Sequence, residues 1–288
     1  MLLEAFAKIN WSLDIVGVRN DGYHLLDMIM QPVSLSDEIV LEPASDLSIS
    51  TDGLYHSPAD ETNLAFRAAR ALSLTAGIMD GVHIHIRKTI PVGAGMGGGS
   101  ADAAAVLFGL NRLWQIGLSQ TELEKIGLTI GADVPFCLHG GLVRTTGIGE
   151  TISEFTCKNK WWMLVLQPCQ GLSTREIFSS WRSENVRHPD NDLILHGLCT
   201  GNLDLVRQSM SNVLEPVSSE RCPQIREAVN ALNAAGASLS AMTGSGSAVF
   251  GVFQFRSEAV KAREKLLKRW PVIHLCHTQS ESIRILEE

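Results

Sequence analysis

Pro91-Val92-Gly93-Ala94-Gly95-Met96-Gly97-Gly98-Gly99-Ser100-Ala101 places five glycines within seven positions. Ahead of it, Val82-His83-Ile84-His85-Ile86-Arg87 alternates apolar and polar residues, the period of a strand. Behind it, Ala101-Asp102-Ala103-Ala104-Ala105-Val106-Leu107-Phe108 reads as a helix. The order is strand, bare-backbone turn, helix. Glycines let the backbone approach a ligand with no Cβ in the way. Free N–H groups at the start of the following helix, with the positive end of its dipole, suit an anion such as phosphate. The stretch is therefore expected to cradle phosphate.

Other readings of the loop are weaker. Gly93-x-Gly95-x-x-Gly98 matches the dinucleotide fingerprint formally, but that motif belongs in a buried parallel βαβ unit. The strand here carries His83, His85, Arg87 and Lys88, so one face reads as wet. A Walker A loop needs a Gly-Lys-Ser/Thr ending, and Gly99-Ser100-Ala101 has no lysine. A ligand-free flexible turn fits poorly between a strand and a helix. Asp102, in the first helical turn, suits the helix dipole but would repel a phosphate. It must point away or meet another group.

The 288 residues, 45% hydrophobic and 19% charged, describe a globular chain large enough to bury a real core. A net charge of −7 argues against a nucleic-acid binder, which carries a basic excess. No apolar run has the length of a membrane span, and the first residues lack a basic targeting start. Six cysteines without a Cys-x-x-Cys pair read as reduced thiols of a cytoplasmic protein. Nothing sets an oligomeric state.

Residues 1–42 read as β-rich, with Ile9, Trp11, Leu13 and Ile15 alternating with Asn10, Ser12 and Asp14, and a hairpin signal at Asn20-Asp21-Gly22. Lys8, among Phe6, Ala7 and Ile9, reads on residues alone as a strand-end lysine whose head reaches water. A helix is expected over 60–76, with Asp60 or Thr62 as cap and Asn63 bonding local backbone. Ser119-Gln120-Thr121-Glu122 is a capping box. In Gly131-Ala132-Asp133-Val134-Pro135-Phe136, Pro135 is expected to keep Val134 out of helical geometry. Asp133 then sits in a rigid apolar turn, as a capping residue or as a carboxylate that needs a cation. After residue 150 the composition shifts. A strand at 161–167, helices around 174–181, 193–198, 203–214 and 223–235, a second glycine loop at Thr243-Gly244-Ser245-Gly246-Ser247, a strand at 248–253 and a helix over 257–270 follow. The fold class expected is α/β (α+β) in two domains, 1–155 and 156–288. His83-x-His85 and His274-x-Cys276-His277 lack neighbouring ligands for a metal site. Ser245 precedes a strand, so it is no nucleophile elbow.

Taken together, Ala7-Lys8-Ile9-Asn10, Arg19-Asn20-Asp21-Gly22-Tyr23-His24, the 91–101 glycine stretch, Gly131-Ala132-Asp133-Val134-Pro135 and Thr243-Gly244-Ser245-Gly246-Ser247 resemble the GHMP kinase superfamily over nearly the whole chain. That family takes its name from galactose, homoserine, mevalonate and phosphomevalonate kinases. The Arg-x-Asp-Gly-Tyr-His and Gly-Ala-Asp-Val-Pro stretches point to its branch acting on 4-diphosphocytidyl-2-C-methyl-D-erythritol, in non-mevalonate isoprenoid precursor biosynthesis. The resemblance implies ATP-dependent phosphorylation of that substrate's 2-hydroxyl, with magnesium on the phosphates and the active site between two domains. It makes Asp133 the catalytic base and Lys8 its partner. It places ATP on Pro91, Val92, Gly93, Ala94, Gly95, Met96, Gly97, Gly98, Gly99, Ser100 and Ala101, with Asn63 and Lys88 toward the adenine. It places Asn10 near the reacting centre, Tyr23 and His24 at the cytosine with Phe178 on the opposite face, and Thr243 and Gly244 at the substrate's phosphates. Ala101 stands where relatives often have serine, and no side chain is assigned to the metal. The alternatives are a homoserine- or mevalonate-type kinase, against which Tyr23-His24 argues, and a non-catalytic nucleotide-binding module, against which the Lys8 and Asp133 pair argues.

Overall fold

A computed structural model describes residues 1–20, 22–184 and 186–288. The first part of the chain forms β1 (Leu2–Val18), β2 (His24–Ala44), β3 (Ser48–Gly53), α1 (Leu64–Ala76), β4 (Gly81–Lys88), α2 (Gly98–Leu113), α3 (Gln120–Ile130), α4 (Val134–His139), β5 (Leu142–Gly147) and β6 (Thr151–Phe155). The rest forms β7 (Trp162–Leu166), α5 (Thr174–Ser180), α6 (Asn191–Thr200), α7 (Leu203–Ser209), α8 (Glu215–Arg221), α9 (Gln224–Ala234), β8 (Leu239–Met242), β9 (Val249–Phe253), α10 (Arg256–Leu266), β10 (His274–His277) and β11 (Ile283–Glu287). The result is α/β, two sheets with helices packed on them. The larger sheet runs β11-β1-β2-β4-β3, with β5 on the far half of β2 and β6 beyond it; the smaller runs β10-β7-β9-β8. β11 pairs with β1, so the end of the chain returns to the first sheet.

β1 does not follow one alternation. Its pairing with β2 slips between Phe6 and Lys8 and again between Asn10 and Ser12. A one-residue slip turns the following side chains to the other face. Leu3, Ala5, Leu13 and Ile15 accordingly join the core with the α1 and α2 alanines. Ala7, Ile9 and Trp11, between the slips, pack instead with Met163, Val165 and Phe250 of the smaller sheet. The Trp11 and Phe250 rings meet edge to face at 5.9 Å. Lys8 and Asn10 are thereby turned toward the glycine stretch. The polar partners in this alternation do not form a solvent face: Asn10, Ser12 and Asp14 are buried as well.

Several local expectations are corrected. Lys8 does not reach water; it is 3% exposed and lies within β1. Asn63, rather than Asp60 or Thr62, caps α1, its side chain accepting from Ala65 N–H. Val134 is helical, since Pro135 falls in the first turn of α4, where a proline's missing N–H costs nothing. Strands β3, β8 and β10 are additions to the sequence reading. Cys169 and Cys222 form a disulfide across 53 residues, against the expectation of reduced thiols. Cys137, Cys157, Cys199 and Cys276 are free. The Ser119–Glu122 capping box forms as expected. Asp21, in the expected Asn20-Asp21-Gly22 turn, lies outside the described residues. No helix among the described residues is long and apolar enough to cross a membrane.

Candidate active site

The glycine stretch leaves β4 and enters α2 with Gly93, Gly95 and Gly97 all at positive φ. Two of these positions admit no side chain. A Cβ on Gly95 would stand 2.2 Å from the Thr243 carbonyl oxygen, and one on Gly97 would press the Lys8 stem at 3.1 Å. Gly97 is the N-cap of α2 and supplies no side-chain bond, so the first turn's N–H groups face outward without a side-chain acceptor. Along this turn lies a cavity of about 380 Å³ lined by Pro91, Val92, Gly93, Ala94, Gly95, Met96, Gly97, Gly98, Gly99 and Ser100, with Asn63, Lys88 and Asp133. Ala101 is buried behind it.

Lys8 stands behind the glycine turn, its stem against Gly97. Its Nζ donates to Asn10 Oδ1 at 2.6 Å and to the Gly95 carbonyl at 2.9 Å. It approaches Asp133 Oδ2 at 3.6 Å. Asp133 occupies the N-cap position of α4, yet its side chain makes no capping bond. The carboxylate is therefore free of the helix and directed at Lys8, with 35% of the side chain in contact with solvent. The capping role left open by the sequence does not apply.

A second cavity, of about 870 Å³, opens on the other side of this pair. Tyr23, His24, Ala132, Thr174, Arg175 and Phe178 line it. Thr174 lines both cavities, as does the 132–133 turn, Ala132 facing one and Asp133 the other. The His24 ring lies 5.4 Å from Phe178 and 5.9 Å from Trp181, so three flat side chains gather at this end. The sequence reading brought Tyr23, His24 and Phe178 here and missed Thr174 and Trp181. A threonine and a tryptophan in a short helix carry no signal of their own.

Three expected site residues have other work. Thr243 is fully buried; its hydroxyl accepts from Asn10 N–H at 2.9 Å and lies 3.3 Å from the Gly95 carbonyl. With Gly244, whose Cβ would collide with Gly95, it braces the glycine stretch from behind and lines neither cavity. Lys88 lines the first cavity, but its Nζ is held by Asp37 and, at 2.6 Å, by Asp102. This answers what Asp102 meets: Lys88, with which it shares the wall of the first cavity. Burial pushes the Asp102 pKa up to about 7 against the pull of Lys88, and Asp37 adds to the rise. Burial alone would lower the Lys88 pKa, but the two aspartates outweigh it and leave it raised. Asp37 also accepts from the N–H groups of Thr89 and Ile90, fixing the chain just before the glycines. Asn63 caps α1 and also lines the first cavity. His83 and His85 bond to Ser48 and Ser50, and no group of three or more metal-ligating side chains occurs among the described residues.

A glycine turn at an uncapped helix start, with a lysine–aspartate pair beside it, is an arrangement that can receive a phosphorylated ligand. The GHMP kinases N terminal domain matches residues 63–141, and the GHMP kinases C terminal domain matches 194–272. A 4-diphosphocytidyl-2-C-methyl-D-erythritol kinase of Clostridium tetani is 39% identical over 96% of this chain and 100% of its own. One from Brevibacillus brevis is 40% identical over 88% of this chain and 87% of its own. A crystal structure of 4-(cytidine 5'-diphospho)-2C-methyl-D-erythritol kinase superposes with a TM-score of 0.84 at 32% identity, covering 97% of this chain and 100% of that one. Homoserine kinase from Cytophaga hutchinsonii, at 18% identity and a TM-score of 0.77, shares the fold. The chain belongs to the GHMP kinase family and, within it, to the 4-diphosphocytidyl-2-C-methyl-D-erythritol kinases.

Proposed function

We propose that this chain transfers the γ-phosphoryl group of ATP to the 2-hydroxyl of 4-diphosphocytidyl-2-C-methyl-D-erythritol, a step in non-mevalonate isoprenoid precursor synthesis. The observation that carries this reading is the position of Asp133, on the turn shared by the two cavities, with Lys8 at 3.6 Å. The glycine turn holds the phosphates of ATP through backbone N–H groups and the α2 dipole. The acceptor lies in the second cavity, its cytosine among Tyr23, His24 and Phe178, where a ring stacks on a base and an imidazole bonds its edge.

An alcohol is a poor nucleophile, and Asp133 takes its proton as the oxygen forms its bond to the γ-phosphorus. The bond to the bridging oxygen breaks and ADP leaves with that electron pair. Lys8, fixed by Asn10 and the Gly95 carbonyl, orients the carboxylate and sets a positive charge beside the oxygens of the transferring group. Ser100 and Asp133 offer this wall oxygen donors, the chemistry magnesium takes, and magnesium on the ATP phosphates would neutralise their charge. Residues 1–155 form the nucleotide-binding domain and 156–288 the domain that completes the acceptor side, in a cytoplasmic setting that supplies ATP.

The test is a coupled ADP-release assay with the purified chain and a panel of alcohols, with products read by phosphorus NMR. Phosphorylation of the cytidylyl compound, with homoserine and mevalonate inert, is the expected result. Turnover of homoserine in its place would overturn the acceptor assignment.

A further inference from the structure

A third cavity, of about 540 Å³, lies away from the catalytic cleft, between the α7–α8 turn, α9 and β8. Three arginines from three separate segments line it: Arg187, Arg207 and Arg226. In a chain with a net charge of −7 this is a local reversal of sign. Their donors are largely uncommitted. Arg187 uses one nitrogen on the Gln208 carbonyl, and Arg207 pairs with exposed Asp204 one helical turn away. Arg226 makes no hydrogen bond or ion pair among the described residues and feels only the charge of Glu215. Glu215 is the acid on the wall, and one of its oxygens is occupied by Met242 N–H at 2.9 Å. Burial raises its pKa. Two more wall residues, Ser219 and Ser240, carry buried hydroxyls with no hydrogen-bond partner among the described residues. Ser219 is 2% exposed.

We propose that this cavity binds a small phosphorylated ligand and that its occupancy is felt at the ATP site. Guanidinium groups match phosphate oxygens two at a time, and the orphan hydroxyls complete such a shell. The volume is that of a small-molecule site, where a nucleic-acid backbone would need an open basic stripe. The floor connects it to the cleft. Asn212 donates to the carbonyls of Met242 and Gly244 at 3.1 and 2.8 Å, and Glu215 holds Met242 N–H. The next residue is Thr243, which braces Gly95 and Asn10 and through them Lys8. An anion bound beside Glu215 changes the field on the carboxylate that holds Met242 N–H, and so the support of the glycine turn. The proposal does not depend on which alcohol the enzyme phosphorylates.

Calorimetric titration of pyrophosphate into the full chain, its ATP site saturated with a non-hydrolysable ATP analogue, tests the site. One equivalent is expected to bind, with orthophosphate weaker and glycerol phosphate separating an ester from free phosphate as the preferred form. Arg226→Ala and Arg207→Ala, both on exposed arginines, are expected to weaken binding at least tenfold while leaving basal kcat and KM unchanged. Ser219→Ala is expected to weaken it severalfold. No binding once the ATP site is filled, or equal affinity in Arg226→Ala, would overturn the site. In a second arm, pyrophosphate is expected to shift the analogue's Kd at least threefold in the wild type and not in Arg226→Ala. An unchanged Kd in the wild type would overturn the link to the glycine turn.

Discussion

Lys8 and Lys88 both have buried side chains beside aspartate, on either side of one glycine turn, and they are held in opposite ways. Lys88 is closed in: its ammonium touches Asp37 and Asp102, and all three side chains are sealed from solvent. Lys8 is buried as well, but the anion it faces is not. Its neutral partners, Asn10 and the Gly95 carbonyl, are close, while its one anion stands back at 3.6 Å with a third of its surface in solvent. The Lys88 cluster is bonded within itself and to the chain before the glycines, with Asp102 Oδ1 left without a partner among the described residues, so its work is in holding the chain. A carboxylate that lines a cavity and is loosely paired, as Asp133 is, can take a new partner. The same two residue types thus build the frame of the turn at one end and its chemistry at the other.

Asp133→Asn is the hardest test of that contrast. Removing a general base is expected to cost about two to four orders of magnitude in kcat. The Kd of an ATP analogue should stay within about threefold, since the cradle is backbone. Near-normal turnover in the steady-state assay would place Asp133 with the structural aspartates and end the distinction.

The two lysines should then separate in a single pair of experiments. Lys88→Met leaves two buried carboxylates without their cation, a change expected to cost about 3–5 kcal/mol in urea unfolding. Lys8→Met removes a buried cation whose anion keeps contact with water, and should cost less, about 1–3 kcal/mol for its lost hydrogen bonds, while turnover collapses. Equal loss of stability in both variants would show that Lys8 holds the fold as firmly as Lys88.

The aromatic end sharpens the comparison further, because its flat rings offer contact area, with Arg175 the charged residue on the same wall. His24→Ala removes a ring that meets Phe178 and Trp181. It is expected to raise KM for the cytidylyl substrate about tenfold, the size of a lost ring contact, with KM for ATP unchanged. A rise in KM for ATP alone would move the base to the other cavity.

How much of this could be read without coordinates follows from the same contrast. Lys8 and Asp133 each stood out as a charge in apolar surroundings, and only resemblance joined them across the chain. The direction of Lys8 could not be read, because it depends on two slips in the β1–β2 register that alternation does not reveal. Asp102 was visibly misplaced beside an expected phosphate, but its partner Asp37 comes from β2, beside the end of β4 through the Glu38–Arg87 pairing. Thr243 was placed at a ligand by resemblance alone; its burial against Gly95 is a tertiary fact. The Cys169–Cys222 bond joins a loop and a helix end that no spacing rule connects. What the chain shows plainly is the residue that breaks a local rule. What it hides is the distant group that makes the exception stable.

The smallest expected effect lies in the sealed cluster and has a defined sign. Two carboxylates share one ammonium, so the buried triad is neutral when Asp102 keeps its proton and carries one net negative charge when it does not. The folded-state pKa of Asp102 is about 7, raised from an ordinary value of 3.8. The fold therefore favours the protonated acid, and stability from this residue is complete below the ordinary value and is lost as pH rises through about 7. Asp102→Asn fixes the neutral form, keeps Lys88 paired with Asp37, and removes that slope. Between pH 5 and pH 8 the wild type should lose on the order of 1 kcal/mol more than Asp102→Asn, by urea midpoints at each pH. Parallel curves would mean that the proton is not held at Asp102. A steeper fall in the variant would mean that the ionised carboxylate is the form the fold prefers, and the triad would then belong with Lys8 among the charged, responsive groups.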